Sequence, residues 1–527
     1  MSGPAEPDFR LTYASMFDPP PALHQRFDAA LRQVRAELGG EHAMTIDGRR
    51  HETGQWFEVR SPIDTGLVLG RFALGGPDDA TRAAEAARRA APGWAATPWR
   101  ERLALLRRAA ALIEQRVYAI SAAVALEVGK NRMEALGEVQ ETADLITWYC
   151  DRMEEAGGFD RALPDEPLTG WRSRNRTVLK PWGAWAVVAP FNFPVALAGG
   201  PIGAALAAGN TVVFKVASST AWSGRLLMDV FEDAGLPAGV VNLVSGPGGT
   251  LGEALMGSPA IAGATFTGSH EVGMALLRRF VAGARPRPLI AEMGGKNAAL
   301  VTRHADLDRA ALGIVRSAFG LQGQKCSACS RVFVERPVAG PLRERLLART
   351  EAIAIGDPTE AANWMGPVID AAALARYRGA AEELRRDGQV LTGARVLDDG
   401  VLAHGHFVAP TIGRIDAGHR LWRDELFLPF LLVAEVESLD EAIERANATD
   451  YGLTAGFYGA RDEIPAFLDR IEAGVTYVNR PQGATTGAWP GYQAFGGWKG
   501  SGSTGKAIGS FWYLPQYLRE QSQTVVD

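Results

Sequence analysis

Cysteine is scarce in this chain: three among 527 residues, Cys150, Cys326 and Cys329. That count excludes a disulfide framework and suits a reducing compartment, so the expected setting is the cytoplasm. An excess of charge of one sign is missing too. The 55 Lys and Arg against 60 Asp and Glu leave a net charge of −5, which gives no footprint for nucleic acid or an anionic membrane. Long apolar runs are missing with one exception: Val195 to Phe214 is almost uncharged and has the length of a membrane span. It contains Gly199, Gly200, Pro201, Gly203, Gly209 and Asn210, and so reads as a buried helix, a turn and a strand. Met1 to Asp8 has no basic stretch and no apolar stretch, so no signal peptide is expected. No internal repeat and no low-complexity linker interrupts the rest.

A length of 527 residues exceeds what one core supports, which predicts two or more domains, and 47% hydrophobic with 22% charged residues is globular composition. Residues 1 to about 30, with several prolines, read as a lead-in arm. Asp78 to about Ala156 has helical spacing, with Asp79 or Thr81 as a cap. From about residue 183 short β-rich runs alternate with helical ones: Trp185-Ala186-Val187-Val188, Thr211-Val212-Val213-Phe214, Val240-Val241-Asn242-Leu243 and Ala264-Thr265-Phe266. The segment Ser219 to Asp233, stopped by Gly235, is one of the intervening helices. This alternation means βαβ units and a parallel sheet, which binds ligands at the carboxyl ends of its strands. A second α/β region runs from about Asn297 to about residue 490.

Several local patterns carry chemistry. Cys326 lies in the loop Gly323-Gln324-Lys325-Cys326-Ser327-Ala328-Cys329, and a thiolate is the most nucleophilic side chain near neutral pH. Taken alone the loop also fits half a zinc site, a redox pair or a structural thiol. Glu292 ends the apolar run Leu289-Ile290-Ala291 and precedes two glycines. An apolar setting raises a carboxyl pKa and suits a general base, although a turn glutamate looks the same. In Pro190-Phe191-Asn192-Phe193-Pro194 the Asn192 amide suits an oxyanion donor or, equally, a helix cap. Gly268 and Ser269 follow a strand and open a helix, a phosphate-binding arrangement. Lys215 ends a strand, where ribose hydroxyls or plain solvent are its alternatives.

In this order the patterns PFNFP, strand lysine, FTGS, E-x-GGK, GQ-x-C, E-x-F and FGG-x-K-x-SG resemble the aldehyde dehydrogenase superfamily, over about residues 45 to 525. Glu292 stands 34 residues before Cys326, as suits the family's acid and nucleophile. The resemblance implies an α/β fold: a Rossmann-type nucleotide-binding domain (30–160 and 182–293), an α/β catalytic domain (294–495) and a small β bridging and oligomerisation element (161–181 and 505–527). It also implies NAD(P)-dependent oxidation of a small-molecule aldehyde to a carboxylic acid, without a metal. Cys326 would be the nucleophile, Asn192 with the Cys326 N–H the oxyanion donors, and Glu292 the base for thioester hydrolysis. Lys215 and Glu425 would hold the riboses, Phe427 the nicotinamide face, and Pro190, Phe191, Gly268 and Ser269 would line the cofactor. Alternation at Arg172, Arg174 and Arg176 fits an exposed strand, and the resemblance implies that such strands pair subunits in a homo-oligomer.

Two departures stand out. Leu428 replaces a glycine common in the family, and Ser218 stands where many NAD-specific members carry a ribose-binding glutamate. Loss of that charge removes repulsion of a 2′-phosphate, so NAD is the expected cofactor with NADP as the alternative. For the substrate, Gly323 to Arg331 resembles the subfamily that oxidises L-glutamate γ-semialdehyde in proline breakdown. Asn479-Arg480 followed by Gly483-Ala484 resembles that subfamily's carboxylate anchor, with Ser327 beside it. The loop onward to Phe495 is longer than the pattern, and Trp489 and Tyr492 are placed to reshape it. Succinic, aminoadipic and broad-range aldehydes are the alternatives. An acylating CoA-dependent enzyme expects no base glutamate, and a silent binding relative expects loss of nucleophile or base; both residues are present.

Overall fold

A computed structural model describes residues 9–527 of the protein; the reading of Met1 to Asp8 lies outside the described residues. The fold is α/β, with two seven-stranded sheets. In the first, neighbours run in the order Leu289–Glu292, Gly263–Thr267, Ala184–Val188, Thr211–Lys215, Val241–Val244, Met44–Ile46 and Arg49–His51. The four β-rich segments read from sequence are all there and run parallel, and the apolar run ending at Glu292 joins them as a fifth parallel strand. The chain steps from Ala184–Val188 outward through Thr211–Lys215 and Val241–Val244, then returns to the other side with Gly263–Thr267. Strand order reverses between Ala184–Val188 and Gly263–Thr267, and a crevice opens at such a switch point. Registers Val188 with Lys215, Val188 with Phe266, and Thr267 with Glu292 align those strand ends along one edge.

The second sheet has the order Gly388–Thr392, Thr411–Ile415, Phe430–Val436, Cys329–Glu335, Asn297–Val301, Thr454–Tyr458 and Val475–Val478. Its strands are parallel except for the first pair. Asn297 pairs with Cys329, so the nucleophile loop enters this sheet at the amino end of a strand. The four residues Met293 to Lys296 link the sheets. A smaller antiparallel sheet joins Leu518–Val526, Ser173–Pro181 and Asp160–Leu163, with Arg176 opposite Gln523. Arg174 and Arg176 are exposed on it.

The uncharged stretch from Val195 forms the helix Ala196–Ala208, buried on nearly every side, and then the strand Thr211–Lys215. A helix apolar all round belongs in a core. Among the described residues no single helix is long and apolar enough to cross a membrane.

Two local expectations need correction. The lead-in arm holds the helix Pro21–Ala36, which buries Leu23, Phe27, Ala30, Leu31 and Val34 on one face; that spacing and a proline at the first helical position were legible signals. The helix Pro77–Ala96 is capped by Gly76, not by Asp79 or Thr81. Asp79, at the third helical position, accepts the Gly76 N–H at 2.9 Å, while Thr81 donates to Pro77 O.

Candidate functional site

Cys326 sits where the two sheets meet, at the wall of a cavity, partly open to solvent, with about 800 Å³ of empty space and also lined by Lys325, Ser327, Phe193 and Phe495. Its loop begins with three consecutive left-handed residues, Leu321, Gln322 and Gly323 (φ 49°, 56° and 66°). For Leu and Gln that conformation costs roughly 1–2 kcal/mol each. It persists because the loop is tied down at many points. Leu321 N–H donates to Glu134 (3.1 Å) and Lys325 to the same carboxylate (2.7 Å). Asn297 Nδ2 donates to Cys326 O (2.7 Å) and Ala328 O (2.9 Å). Gly323 has no room for a side chain, since a Cβ would fall 2.1 Å from Leu428 O. Leu428 itself is buried in the second core, and Phe427 takes the left-handed angle beside it (φ 58°).

The three sulfurs lie in separate environments. Cys326 is partly exposed, whereas Cys329 is buried beneath the second sheet and Cys150 in the first core. Among the described residues all three are free thiols, and no group of three or more His, Cys, Asp or Glu side chains is placed to hold a metal ion. Burial pushes the Cys326 thiol up to about 12, and the carboxylates of Glu425 and Glu292 add to this, while N–H groups of Ser327 and Cys326 oppose it. The sulfur is therefore a neutral thiol until something removes its proton.

Glu292 ends its strand as read, half-buried, with Oε2 lacking any hydrogen-bond partner among the described residues. Burial raises it to about 8, opposed by the Gly497 N–H. Glu425 lies nearby: Gly295 N–H donates to it at 2.9 Å, and burial raises it to about 7. Asn192 is no helix cap. The helix starts at Ala196, and the carboxylate of Glu138 accepts the N–H groups of Val195 (2.7 Å) and Ala196 (3.3 Å) in its place. Asn192 instead donates to Gln324 O at 2.8 Å, bringing its amide to the nucleophile loop.

Along the aligned strand ends lie the other predicted residues. Lys215 is 6% exposed, and burial lowers it to about 8. Ser218 donates to Gly246 O, Gly268 N–H to Glu292 O, and Ser269 caps the helix His270–Val281. Pro190 follows Val188 in the same row, and the rings of Phe191 and Phe427 meet edge to face at 5.7 Å. A buried lysine with burial as the cause of its shift, at the end of a strand beside the switch point, fits hydroxyl groups of a dinucleotide. The orphaned Glu292 oxygen fits a reacting group or a water.

The anchor assignment is corrected. Gly483 and Ala484 do not line the cavity. Ala484 packs in the core under the second sheet and spends its N–H on Gly313 O. Thr486, Gly487 and Ala488 face the cavity beside Ser327. Arg480 clamps that turn, donating to Thr486 O (2.6 Å) and Gly487 O (3.1 Å). Among the described residues no protein acceptor takes the N–H of Gly487, while the N–H of Ala488 lies against the Tyr477 phenol oxygen. The loop holds two Gly-Ala pairs, and tertiary packing buries the first. Trp489 is buried, donating to Asp144, and Tyr492 is exposed.

The helix Arg132–Glu155 behind the site falls in the region read as helical, but sequence reading gave it no role there. Glu134 holds the nucleophile loop. Glu138, ion-paired with Lys130, holds the Asn192 loop, and Lys130 donates to Asn192 O at 2.7 Å. Glu141 faces the cavity. Carboxylates at i, i+4 and i+7 form one helical face, a signal present but unassigned.

The model of the aldehyde dehydrogenase family matches residues 49–522. A 1-pyrroline-5-carboxylate dehydrogenase of Geobacillus thermodenitrificans is 37% identical over 513 residues, 96% of each chain. Another from Bacillus subtilis is 36% identical, covering 94% of each. A solved 1-pyrroline-5-carboxylate dehydrogenase from Thermus with bound NAD superposes with a TM-score of 0.91 at 34% identity, over 99% of both chains.

Proposed function

Because the chain belongs to the aldehyde dehydrogenase family, we propose that it oxidises L-glutamate γ-semialdehyde to L-glutamate with NAD, or NADP, as hydride acceptor. Its relatives named 1-pyrroline-5-carboxylate dehydrogenase support the substrate. The observation that carries it is the unused N–H of Gly487, with that of Ala488 next to it, facing the cavity beside Ser327 and Cys326. Convergent backbone donors with a hydroxyl recognise a carboxylate. They hold the α-carboxylate at one end while the aldehyde reaches the sulfur at the other.

Cys326 adds to the aldehyde carbon once its proton is removed, and Asn192 with the Cys326 N–H stabilises the oxyanion. Hydride acceptance is the chemistry that a bound nicotinamide supplies. The residues that would hold that cofactor are Lys215, Glu425 and Phe427, with Pro190, Phe191, Ser218, Gly268 and Ser269 around it. The resulting Cys326 thioester is hydrolysed by water that Glu292 deprotonates, a reading that its unpartnered oxygen supports. Sulfur serves both halves, since it adds readily and leaves as a stable thiolate. We assign 30–160 and 182–293 to cofactor binding, 294–495 to catalysis, and 161–181 with 505–527 to subunit pairing in a cytoplasmic homo-oligomer.

The test is cofactor reduction at 340 nm with glutamate γ-semialdehyde, succinic semialdehyde and an aliphatic aldehyde, for NAD and NADP, with Cys326→Ala as control. Preference for the first, abolished in the variant, is expected. Turnover of the other two alone would discard the anchor, and turnover surviving in Cys326→Ala would discard the nucleophile.

A further inference from the structure

We propose that Tyr13, on the segment ahead of the first helix, is a specificity-determining residue that closes the far end of the cavity and limits the length of aldehyde reaching Cys326. This rests on the reading of that cavity as the aldehyde site. Although more than 300 positions away in sequence, Tyr13, Met16 and Phe17 line the same space as Cys326. The phenol of Tyr13 donates to Glu141 Oε2 at 2.7 Å. It is the side-chain partner of that half-buried carboxyl among the described residues. The Tyr13 ring stands edge-on to Phe193 (6.4 Å) and to Trp489 (5.1 Å), joining the Asn192 loop to the anchor loop.

The long helix is shaped for this ring. Gly137 lies in its interior, where glycine is roughly 1 kcal/mol worse than alanine, and a Cβ there would meet Tyr13 Cε1 at 2.9 Å. The segment is also pinned at both ends. Arg10 donates to Asp144 (3.2 Å) and Tyr492 (3.3 Å), and the Arg316 guanidinium lies 3.6 Å from the centre of the Phe17 ring. Beyond the segment is a second cavity, partly open to solvent, with about 570 Å³ of empty space, lined by His24, Arg132 and Trp364 and again by Met16 and Phe17. The segment is therefore a thin partition between two spaces, and its side chains decide where the substrate cavity stops. A short aldehyde carrying its own carboxylate fits in front of it; a long alkyl chain meets the Tyr13 ring.

The test compares kcat/KM for octanal with that for butanal in the wild-type enzyme, Tyr13→Ala, Tyr13→Phe and Met16→Ala. Each methylene newly accommodated changes discrimination by roughly tenfold, so the octanal-to-butanal ratio should rise at least about tenfold in Tyr13→Ala. Tyr13→Phe keeps the ring and should keep the ratio near its wild-type value. Met16→Ala opens the same partition from a second position and should raise the ratio even where Tyr13→Ala does not fold. An unchanged ratio in the folded Ala variants, or an equal rise in Tyr13→Phe, would overturn the proposal. The readout uses simple aldehydes, so failure of the glutamate semialdehyde assignment leaves it standing and appears separately, as lack of turnover with that substrate.

Discussion

Gly294→Ala isolates Glu425 without altering the carboxylate itself. A Cβ at position 294 would fall 2.0 Å from Glu425 Oε2, 2.6 Å from its Cδ and 2.8 Å from Oε1. Ordinary contact begins near 3.4 Å, so the carboxylate must retreat by about 1.4 Å. It is the far end of a flexible side chain, and Gly294 does not hold a left-handed angle, so the fold accepts the change. What is lost is the 2.9 Å hydrogen bond from Gly295 N–H and the ribose contact assigned to the same carboxylate. A hydrogen bond to a charged group contributes about 1.5–3 kcal/mol, which corresponds to a rise in the KM for NAD of roughly ten- to a hundredfold. The aldehyde KM should move little. Steady-state kinetics with varied NAD, beside Glu425→Gln and a melting curve, measures this. An unchanged KM for NAD in a well-folded Gly294→Ala would refute the placing of Glu425 at the cofactor.

Glu292→Gln should still form the thioester and release one equivalent of reduced cofactor per site in a burst, with subsequent turnover slowed roughly 10²–10⁴-fold; stopped-flow absorbance reads both phases. With Glu292 raised to about 8, the ionised base gains population as pH rises, so hydrolysis-limited kcat should climb through pH 7–9 and that limb should vanish in the Gln variant. In stability the sign is opposite: a carboxyl whose folded pKa lies above its unfolded value favours folding below about 4.5 and loses that contribution as pH rises toward 8. Lys130→Met leaves Glu138 charged and buried, both side chains being inaccessible in the native pair; a cost of about 3–5 kcal/mol is expected, read as a lower denaturant midpoint together with reduced kcat from the displaced Asn192 loop. Ser218→Glu should raise the KM for NADP far more than that for NAD, because a carboxylate repels the 2′-phosphate; equal effects would remove Ser218 from the ribose site.

Sequence by itself determined the local and ordered features. The β-rich runs are short and periodic, so the strands Ala184–Val188, Thr211–Lys215, Val241–Val244 and Gly263–Thr267 were readable within a residue or two. Lys215 and Glu292 stand at strand ends for the same reason, and the Cys326 loop is marked by its own glycines. The family follows from the order of these motifs along the chain. What depends on contacts between distant residues was not legible. Two Gly-Ala pairs share one loop, and the hydrogen bonds of Ala484 to Gly313 and of Arg480 to Thr486 and Gly487 decide which pair faces the cavity. Asn192 looked like a helix cap until Glu138, over fifty residues earlier, took that place. Tyr13 reaches the site only because the chain start folds across the helix Arg132–Glu155 and fills the notch at Gly137. Strand and turn preferences act over a few residues and are written in sequence. The walls of the cavity come from segments brought together by packing, and only the folded chain brings them within a hydrogen bond of one another.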